Sequence, residues 1–223
     1  MTPFQEYYSK LTEVEKKNSP KELFFKGDFS LLESERRIAV VGSRKVSAMG
    51  IRRAEFVTKF LVERNIVVVS GLAEGIDTTA HTTAMVNGGK TIAVIGTPLN
   101  ISFPASNKRL QDIIGREHLL ISQFKENTAV SPKKIPIRNR TMALISDATI
   151  IIEASEYSGT RHQGWEALRL GRNLYIMENI IKDKEVTWAR EMLNYGAQVL
   201  TKENYKDIIE DTHYLTAKVD YAF

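Results

Sequence analysis

The chain has 223 residues, of which 43% are hydrophobic and 26% charged, an ordinary composition for a globular protein with a sizeable core. The absence of cysteine excludes disulfides, thiolate zinc sites and a cysteine nucleophile; the four histidines lack metal-ligand spacing, so we expect no metal. The net charge of +4 permits a polyanionic partner without requiring one. No apolar run suits a membrane helix and the first residues lack a signal-peptide pattern, so we expect a cytoplasmic protein without a membrane partner.

The first 37 residues are polar and charged, and they predict a short helix, a connector and a lead-in segment. Within them, residues 23–25 are apolar and are followed by Gly27, a pattern typical of a short extended piece that covers a sheet edge. We expect this region to add little to the core.

From residue 38 onward, short apolar runs alternate with helical patterns. The runs fall at residues 38–41, 66–69, 91–95, 118–122, 148–152, 173–177 and 197–200. Their spacing is roughly the 30 residues of a βαβ unit. We therefore predict an α/β fold with a doubly wound, mostly parallel sheet and helices on both faces.

Helical patterns separate these runs. They fall at residues 51–61, 75–87, 105–116, 141–146, 164–170 and 186–195, and a last one follows residue 203. Two prolines within residues 131–140 predict an irregular loop there. The expected organisation is an N-terminal helix and lead-in at 1–37, one α/β domain at 38–206, and a C-terminal tail at 207–223.

The turn after the first regular strand has the chemistry of a phosphate site. Gly42 allows a tight turn and a close approach to a ligand, Ser43 and Ser47 can cap the following helix, and Arg44 adds a charged fork. The G-x-G-x-x-G and P-loop patterns are absent, so we expect neither NAD nor another cofactor. An ordinary βα turn with an exposed arginine is the alternative.

Other strand ends repeat this chemistry. Glycines beside hydroxyl residues follow further strands, at residues 70–75, 96–97 and 158–160. Residues 131–140 contain four basic residues and no acid, and Lys108, Arg109 and Arg161 lie near other turns. If these groups share one rim with Arg44, they form a positive track that suits a polymer better than a mononucleotide. Solvated charges on separate faces are the alternative.

Acid–base chemistry is a competing use of the same rim. Its candidates are Asp77, His81, Glu153, Glu156 and Glu166. Because His81 lies four residues after Asp77, we expect a local helical contact between these two rather than a catalytic pair. The sequence contains no hydrolase elbow and no kinase signature.

Several segments together resemble the DNA-processing protein A family (DprA, also called Smf). They are Leu23-Phe-Phe-Lys-Gly-Asp, Ile38-Ala-Val-Val-Gly-Ser-Arg, Val69-Ser-Gly-Leu-Ala-Glu-Gly-Ile-Asp, Gly89-Lys-Thr-Ile-Ala-Val-Ile-Gly-Thr, Phe103-Pro-Ala-Ser-Asn, Ile137-Arg-Asn-Arg and Ser146-Asp-Ala. The resemblance covers about residues 20 to 206, and the segment that begins at Val69 is the most specific.

This resemblance implies an extended Rossmann-like, non-enzymatic domain that binds single-stranded DNA, forms homodimers, protects incoming strands in transformation and helps to load a RecA-type recombinase. By similarity, the DNA pocket contains Gly42, Ser43, Arg44, Ser70, Gly71, Lys108, Asn139 and Arg140. The strand-end turns add further phosphate contacts, at Ser47, Gly75, Ser158, Gly159, Thr160 and Arg161. Phe103 or Tyr157 is expected to stack on bases.

Two departures from the family keep a second hypothesis open. The usual Ser-Gly-Ser-Leu-Ile-Thr-Ala segment is replaced by one that runs from Ser158 to beyond Glu166, and we expect the family's accessory domains to be absent. Gly159, Thr160 and Glu166 also resemble nucleotide-binding relatives, including phosphoribohydrolases, although their Pro-Gly-Gly lead-in is missing. The alternative is a nucleotide enzyme or defence-signalling sensor that uses Asp77 and Glu166.

Overall fold

The computed structural model describes residues 3–33 and 36–212. Eight strands form one sheet: β1 Phe24–Gly27, β2 Arg37–Val41, β3 Val67–Ser70, β4 Thr91–Ile95, β5 Leu119–Ser122, β6 Ala148–Ile151, β7 Asn173–Met177 and β8 Gln198–Leu200. Their spatial order is β1-β5-β4-β3-β2-β6-β7-β8, and every neighbouring pair is parallel except β1 with β5. The predicted doubly wound, mostly parallel sheet is confirmed.

The α-helices of the described residues connect and flank these strands. They are α1 Pro3–Ser9, α2 Glu13–Asn18, α3 Ala48–Val62, α4 Ile76–Val86, α5 Lys108–Glu117, α6 Lys134–Ile145, α7 Thr160–Arg169, α8 Glu178–Lys182, α9 Thr187–Leu193 and α10 Tyr205–Glu210. Short 3₁₀ turns occur at Phe29–Leu32 and Ala105–Asn107. No helix in these ranges is long and apolar enough to cross a membrane.

The sheet is buried on both faces because alternate side chains of each parallel strand enter different cores. In β2, Ala39 and Val41 join the core beneath α6 and α9, whereas Ile38 and Val40 join the core beneath α3, α4 and α10. The fully buried pattern of β2, β3, β4, β5 and β6 explains why these strands are continuous apolar runs in the sequence. Helices therefore cover both faces, as predicted.

The N-terminal segment contributes more core than its composition indicates. Tyr7, Leu31 and Leu32 are buried in the core beneath α6 and α9, and the half-buried Phe25 packs against it. β1 pairs with β5 and covers that edge of the sheet, as expected. The expectation of little core from residues 1–37 was wrong, since its apolar residues are spread among charged ones and are gathered only by the fold.

The loop predicted for residues 131–140 is also wrong from Lys134 onward, where α6 begins. Pro136 occupies the first turn of α6, a position where the backbone N–H has no partner within the helix and proline is tolerated. Towards the C-terminus, α10 spans residue 206 and its Ile209 is fully buried in the core beneath α3 and α4. Most of the predicted tail, residues 213–223, lies outside the described residues.

Candidate nucleic-acid interface

The centre of the sheet contains the point at which the strand order reverses. β2 is flanked by β3, the next strand in the chain, on one side and by the much later β6 on the other. In open α/β sheets, ligands bind beyond the carboxyl ends of the strands at such a switch point. A cleft of about 440 Å³ lies there. We call it the switch-point cleft, and its lining comes from the turns after β2, β3 and β6 and from α6.

Many of the predicted site residues meet in this cleft. Those that line it are Gly42, Ser43, Arg44, Asp77, Asn139, Tyr157, Ser158, Gly159 and Thr160. Lys45, Arg138 and Gln163 also line it, although the sequence analysis did not select them. Gly159 and Thr160, at the start of α7, line the cleft, so the positive end of that helix dipole lies there and favours an anion.

The turn after β2 is fixed by contacts with its neighbours. The Ser43 N–H donates to the Glu153 carbonyl (2.7 Å), and the Ile76 N–H donates to the Ser43 carbonyl (3.2 Å). Gly75 has φ +77°, and a Cβ atom there would lie 2.3 Å from the Ser43 carbonyl oxygen. The turn and the start of α4 are therefore packed too closely for any other residue at position 75. This rigid turn carries the exposed Arg44.

Arg138 crosses the floor of the cleft, where its side chain is buried against Gly71. A Cβ atom at residue 71 would lie 1.4 Å from the Arg138 Nη1 atom, so the guanidinium occupies the space of a side chain. Nη1 donates to the Val94 carbonyl (3.1 Å), whereas Nε is buried without a hydrogen-bond partner. Gly71 is thus required by a close approach between its backbone and a buried cation.

Asp77 is the counter-charge of this cation. Burial raises the pKa of the Asp77 carboxyl, while the Arg138 guanidinium and hydrogen bonds with Ala73 and Ser70 act in the opposite direction. The Ala73 N–H donates to Asp77 Oδ2 at 3.3 Å. Asp77 is the only acidic residue among those that line the cleft, against the three cations Arg44, Lys45 and Arg138. The cleft therefore favours an anionic ligand.

A smaller depression of about 100 Å³ adjoins the cleft. Both are lined by Arg44, Ala73, Ile135 and Arg138, and the depression adds Gly71, Glu74, Phe103 and Pro104. We call the cleft and depression together the switch-point track. Each part has an exposed aromatic ring on its lining: the 55% exposed Phe103 in the depression and the 98% exposed Tyr157 in the cleft.

Other predicted site residues lie outside the lining of the track. Ser70 is buried and donates to the Val40 carbonyl (2.7 Å), and Ser47 caps α3 and donates to the Glu153 carboxylate. Lys108 pairs with Asp112 (2.9 Å), and Arg140 pairs with Glu166. The exposed Arg161 also does not line the track. Contacts of these residues with DNA stay predictions.

The carboxylates of the alternative hypothesis are placed differently from one another. Asp77 lines the cleft, whereas Glu166 is outside its lining and pairs with Arg140 and Arg169. The predicted local contact between Asp77 and His81 is wrong, because His81 Nδ1 instead hydrogen-bonds the Thr91 hydroxyl at 2.7 Å. Among residues 3–33 and 36–212, no group of three potential metal ligands was found.

Arg138 is the main site residue that the sequence analysis missed, although its spacing from neighbouring residues in the sequence could have identified it. Ile135, Arg138, Asn139 and Met142 all line the cleft and follow the i, i+3, i+4, i+7 spacing of one helix face. A loop prediction for residues 131–140 hides this spacing. A helical prediction would have favoured Arg138 and Asn139 over Arg140.

The fold and the cleft define a Rossmann-like α/β protein with a cleft at its switch point that is lined by more cations than acids. The family model for DNA recombination-mediator protein A matches residues 1–213. The chain belongs to this family, as its sequence motifs indicate.

Curated relatives agree with this assignment. The DNA processing protein DprA of Streptococcus pneumoniae is 40% identical over 184 residues, which are 82% of this chain and 64% of that protein. The DprA of Bacillus subtilis is 31% identical over 192 residues, 86% of this chain and 64% of that protein. The chain therefore spans just under two thirds of the length of these two relatives.

Solved structures give the same result. The DprA structure from S. pneumoniae has a TM-score of 0.79 at 36% identity and covers 92% of this chain and 70% of that one. The DprA structure from Helicobacter pylori, which gave insight into a unique single-stranded DNA binding mode, has a TM-score of 0.78 at 25% identity, with 91% and 94% covered. A molybdenum cofactor binding protein from Rippkaea orientalis, at 15% identity and a TM-score of 0.57, shares the fold alone.

Proposed function

We propose that this protein binds single-stranded DNA along the switch-point track and acts in DNA processing and recombination as a binding protein, not as an enzyme. The observation that carries the proposal is that Arg44 and Arg138 line both the cleft and the depression. Positive charge therefore continues from one part of the track to the other, as a ligand with successive phosphates requires. A mononucleotide needs only one of the two parts.

The two aromatic rings give each part of the track a place for a base. Tyr157 lines the cleft and Phe103 the depression, and aromatic rings bind single-stranded nucleic acid by stacking on unpaired bases. Arg44 and Lys45 provide phosphate contacts from the rigid turn after β2. Membership of the family and the DNA-binding mode studied in the H. pylori relative support this proposal.

The remaining family properties belong to the same proposal. We infer a homodimer, a RecA-type recombinase as partner, a setting in transformation or recombination, and a cytoplasmic location from the resemblance. The organisation into a lead-in, one DNA-binding domain and a tail is part of this proposal too, as a division in composition, because the lead-in and α10 share the cores of the sheet. The homodimer, the partner, the setting and the location depend on the family and not on a contact within the chain.

The test is fluorescence anisotropy of a labelled oligo-dT over a salt series, with AMP and duplex DNA as competitors. We expect binding that weakens steeply with salt and is displaced poorly by either competitor. Arg44→Ala should weaken binding and reduce the slope of log affinity against log salt by about 0.7, the contribution of one phosphate on a single strand. Arg116→Ala, at the opposite end of the strands, is the matched control and should behave as the wild type.

Two results would contradict the proposal. An unchanged affinity and salt slope in Arg44→Ala would remove Arg44 from the interface. Easy displacement of oligo-dT by AMP would favour a single-nucleotide site and the enzymatic alternative. In that case, turnover of nucleoside monophosphates should be tested. If the wild type shows this activity and Glu166→Gln loses it, Glu166 takes part in the reaction.

A further inference from the structure

A second concavity of about 490 Å³ lies between α3, the β7–α8 junction and the segment from β8 to α10. We call it the α3 groove. Its apolar lining consists of Met49, Phe56, Val57, Met177, Leu200 and Tyr205. Phe56 is 50% exposed although it contacts the Tyr205 ring, with 5.0 Å between the ring centroids. Such a concave and exposed apolar surface is typical of a binding site.

Basic side chains surround this apolar lining. Arg52 and Arg53 come from α3, and Lys182 and Lys202 come from the other wall. Glu178 is the one acidic residue of the lining, and it pairs with Lys182 at 2.7 Å. Within the described ranges, Arg52, Arg53 and Lys202 have no ion pair within 4.0 Å. The groove therefore has an excess of positive charge around an apolar centre.

The groove also contains an unused hydrogen-bond acceptor. The Asn179 Oδ1 atom is buried and has no hydrogen-bond partner among the described residues. A buried polar atom without a partner costs free energy; because this Oδ1 atom is closed off from solvent, the Asn179 amide has to turn towards the groove before an N–H group of a bound ligand can remove that cost. An extended peptide presents N–H groups of this kind along its backbone.

We propose that the α3 groove binds an acidic segment of a partner protein that carries an aromatic or branched aliphatic side chain. The apolar side chain enters the centre of the groove, where Met49 and Met177 adapt to its shape. The carboxylates of the bound segment flank this apolar side chain and form ion pairs with Arg52, Arg53 and Lys202. The observations favour a peptide over a nucleobase, because the polar edges of a base need several hydrogen-bond partners and, besides Tyr205, the lining has only two uncharged polar side chains, Asn179 and Thr201.

This site is independent of the proposed DNA interface. The α3 groove shares no lining residue with the switch-point track. Both sites can therefore be occupied at once, and a protein partner can be held while the track holds DNA. The proposal does not require the DNA-binding proposal to be correct.

The test uses a fluorescein-labelled octapeptide, Gly-Asp-Asp-Phe-Leu-Asp-Asp-Gly, and fluorescence anisotropy with the full chain. Replacing its Phe-Leu pair by Ser-Ser, or its aspartates by asparagines, should weaken binding by about tenfold or more. The first change removes the apolar contact, and the second removes the charge complementarity. The protein variant Arg52→Glu/Arg53→Glu should weaken binding of the original peptide by a similar factor. Lys59→Glu, on the same helix but outside the groove lining, is the matched control and should bind as the wild type.

The same proteins are then titrated with oligo-dT and sedimented in the ultracentrifuge. We expect Arg52→Glu/Arg53→Glu to keep both its affinity for oligo-dT and its oligomeric state. A loss of oligo-dT binding would make the groove part of a nucleic-acid path, and a changed oligomeric state would make it an interface between copies; either result overturns the proposal. The proposal is also overturned if the wild-type protein does not bind the peptide, or if it binds the Ser-Ser peptide equally well. Both measurements use the wild-type protein, so a misfolded variant cannot explain either result.

Discussion

At the residue scale, the contact between Gly71 and Arg138 leaves no room for the methyl group that an alanine would add at position 71. In Gly71→Ala, the new Cβ atom would lie 1.4 Å from Arg138 Nη1 and 2.4 Å from Cζ, so the guanidinium must leave its site. Arg138 then loses its hydrogen bond to Val94 and Asp77 loses its buried counter-charge. We expect the free energy of unfolding to fall by about 2–3 kcal/mol and oligo-dT binding to weaken, as measured by urea unfolding and anisotropy.

Gly159→Ala is the matched control for this prediction. Gly159 lines the same cleft, but a Cβ atom there meets nothing within 4 Å and its φ of −61° suits any residue. The variant should unfold within about 0.5 kcal/mol of the wild type. Equal losses of stability in the two variants would mean that the guanidinium does not rest on Gly71.

His81 makes the stability of the fold depend on pH. Thr91 Oγ1 donates to the Val68 carbonyl (2.8 Å), so His81 Nδ1 must donate to Thr91, and the neutral ring leaves Nε2 buried without a partner. A second proton on Nε2 would find no acceptor. Burial accordingly lowers the pKa of His81 from 6.5 to about 3.

The sign of the effect follows from this lowered pKa. Below about pH 6.5 the unfolded chain binds a proton that native His81 does not bind, so stability falls by up to about 1.4 kcal/mol per pH unit as the pH decreases towards 3. His81→Gln should flatten this decrease in urea unfolding measured between neutral pH and about pH 5. His162→Gln, at an exposed residue, should retain it. An identical pH profile for His81→Gln and the wild type would contradict the assignment.

At the scale of elements, the strands could be predicted because burial on both faces makes them continuous apolar runs. The start of α6 could not, since Pro132 and Pro136 indicate a break while only the tertiary fold shows that Pro136 is in a first turn. The loop prediction gave no reason to select Arg138, which lines the cleft from α6, whereas Arg140 was selected by the family resemblance and its contact with DNA stays a prediction. The sequence therefore indicated the turns that line the cleft after the strands, but not the helix that crosses it.

The N-terminus of α3 is joined to the turn after β6 through Ser47, whose N–H donates to Glu153 Oε1 (2.8 Å). Ser47 Oγ accepts from the Gly50 N–H (3.0 Å) and donates to the Glu153 carboxylate, which follows β6. We expect Ser47→Ala to lower the free energy of unfolding by about 1–2 kcal/mol, as measured by urea unfolding, because the helix loses its cap and Glu153 loses a partner. Ser155→Ala is a control at an exposed serine whose hydroxyl makes no hydrogen bond to a described residue. A loss of the same size in both variants would exclude the capping role.

At the scale of the whole molecule, the N-terminal segment and the sheet share one core. Leu32 belongs to the core beneath α6 and α9, and Glu15 of α2 forms an ion pair with Arg172, which precedes β7. Arg37, at the start of β2, donates to the carbonyls of Leu32 and Ile145, at 2.7 Å in each case. The contacts of Arg37 with Ile145 and of Glu15 with Arg172 join residues that are far apart in the chain, so residue 37 is a boundary in composition and not in packing.

Unfolding of the whole chain should therefore be sensitive to a single residue of the lead-in. Leu32 is 1% exposed, so Leu32→Ala leaves a cavity in the shared core, and we expect the free energy of unfolding to fall by about 3 kcal/mol in one cooperative transition. Val14→Ala, at a 58% exposed position of α2, should change it by no more than about 0.5 kcal/mol. Urea unfolding followed by tryptophan fluorescence reports on the sheet, because Trp188 is buried in that core and Trp165 packs against it. If the lead-in folded separately, Leu32→Ala would leave the tryptophan transition at its wild-type midpoint, since the cavity would then lie outside the unit that these two residues report.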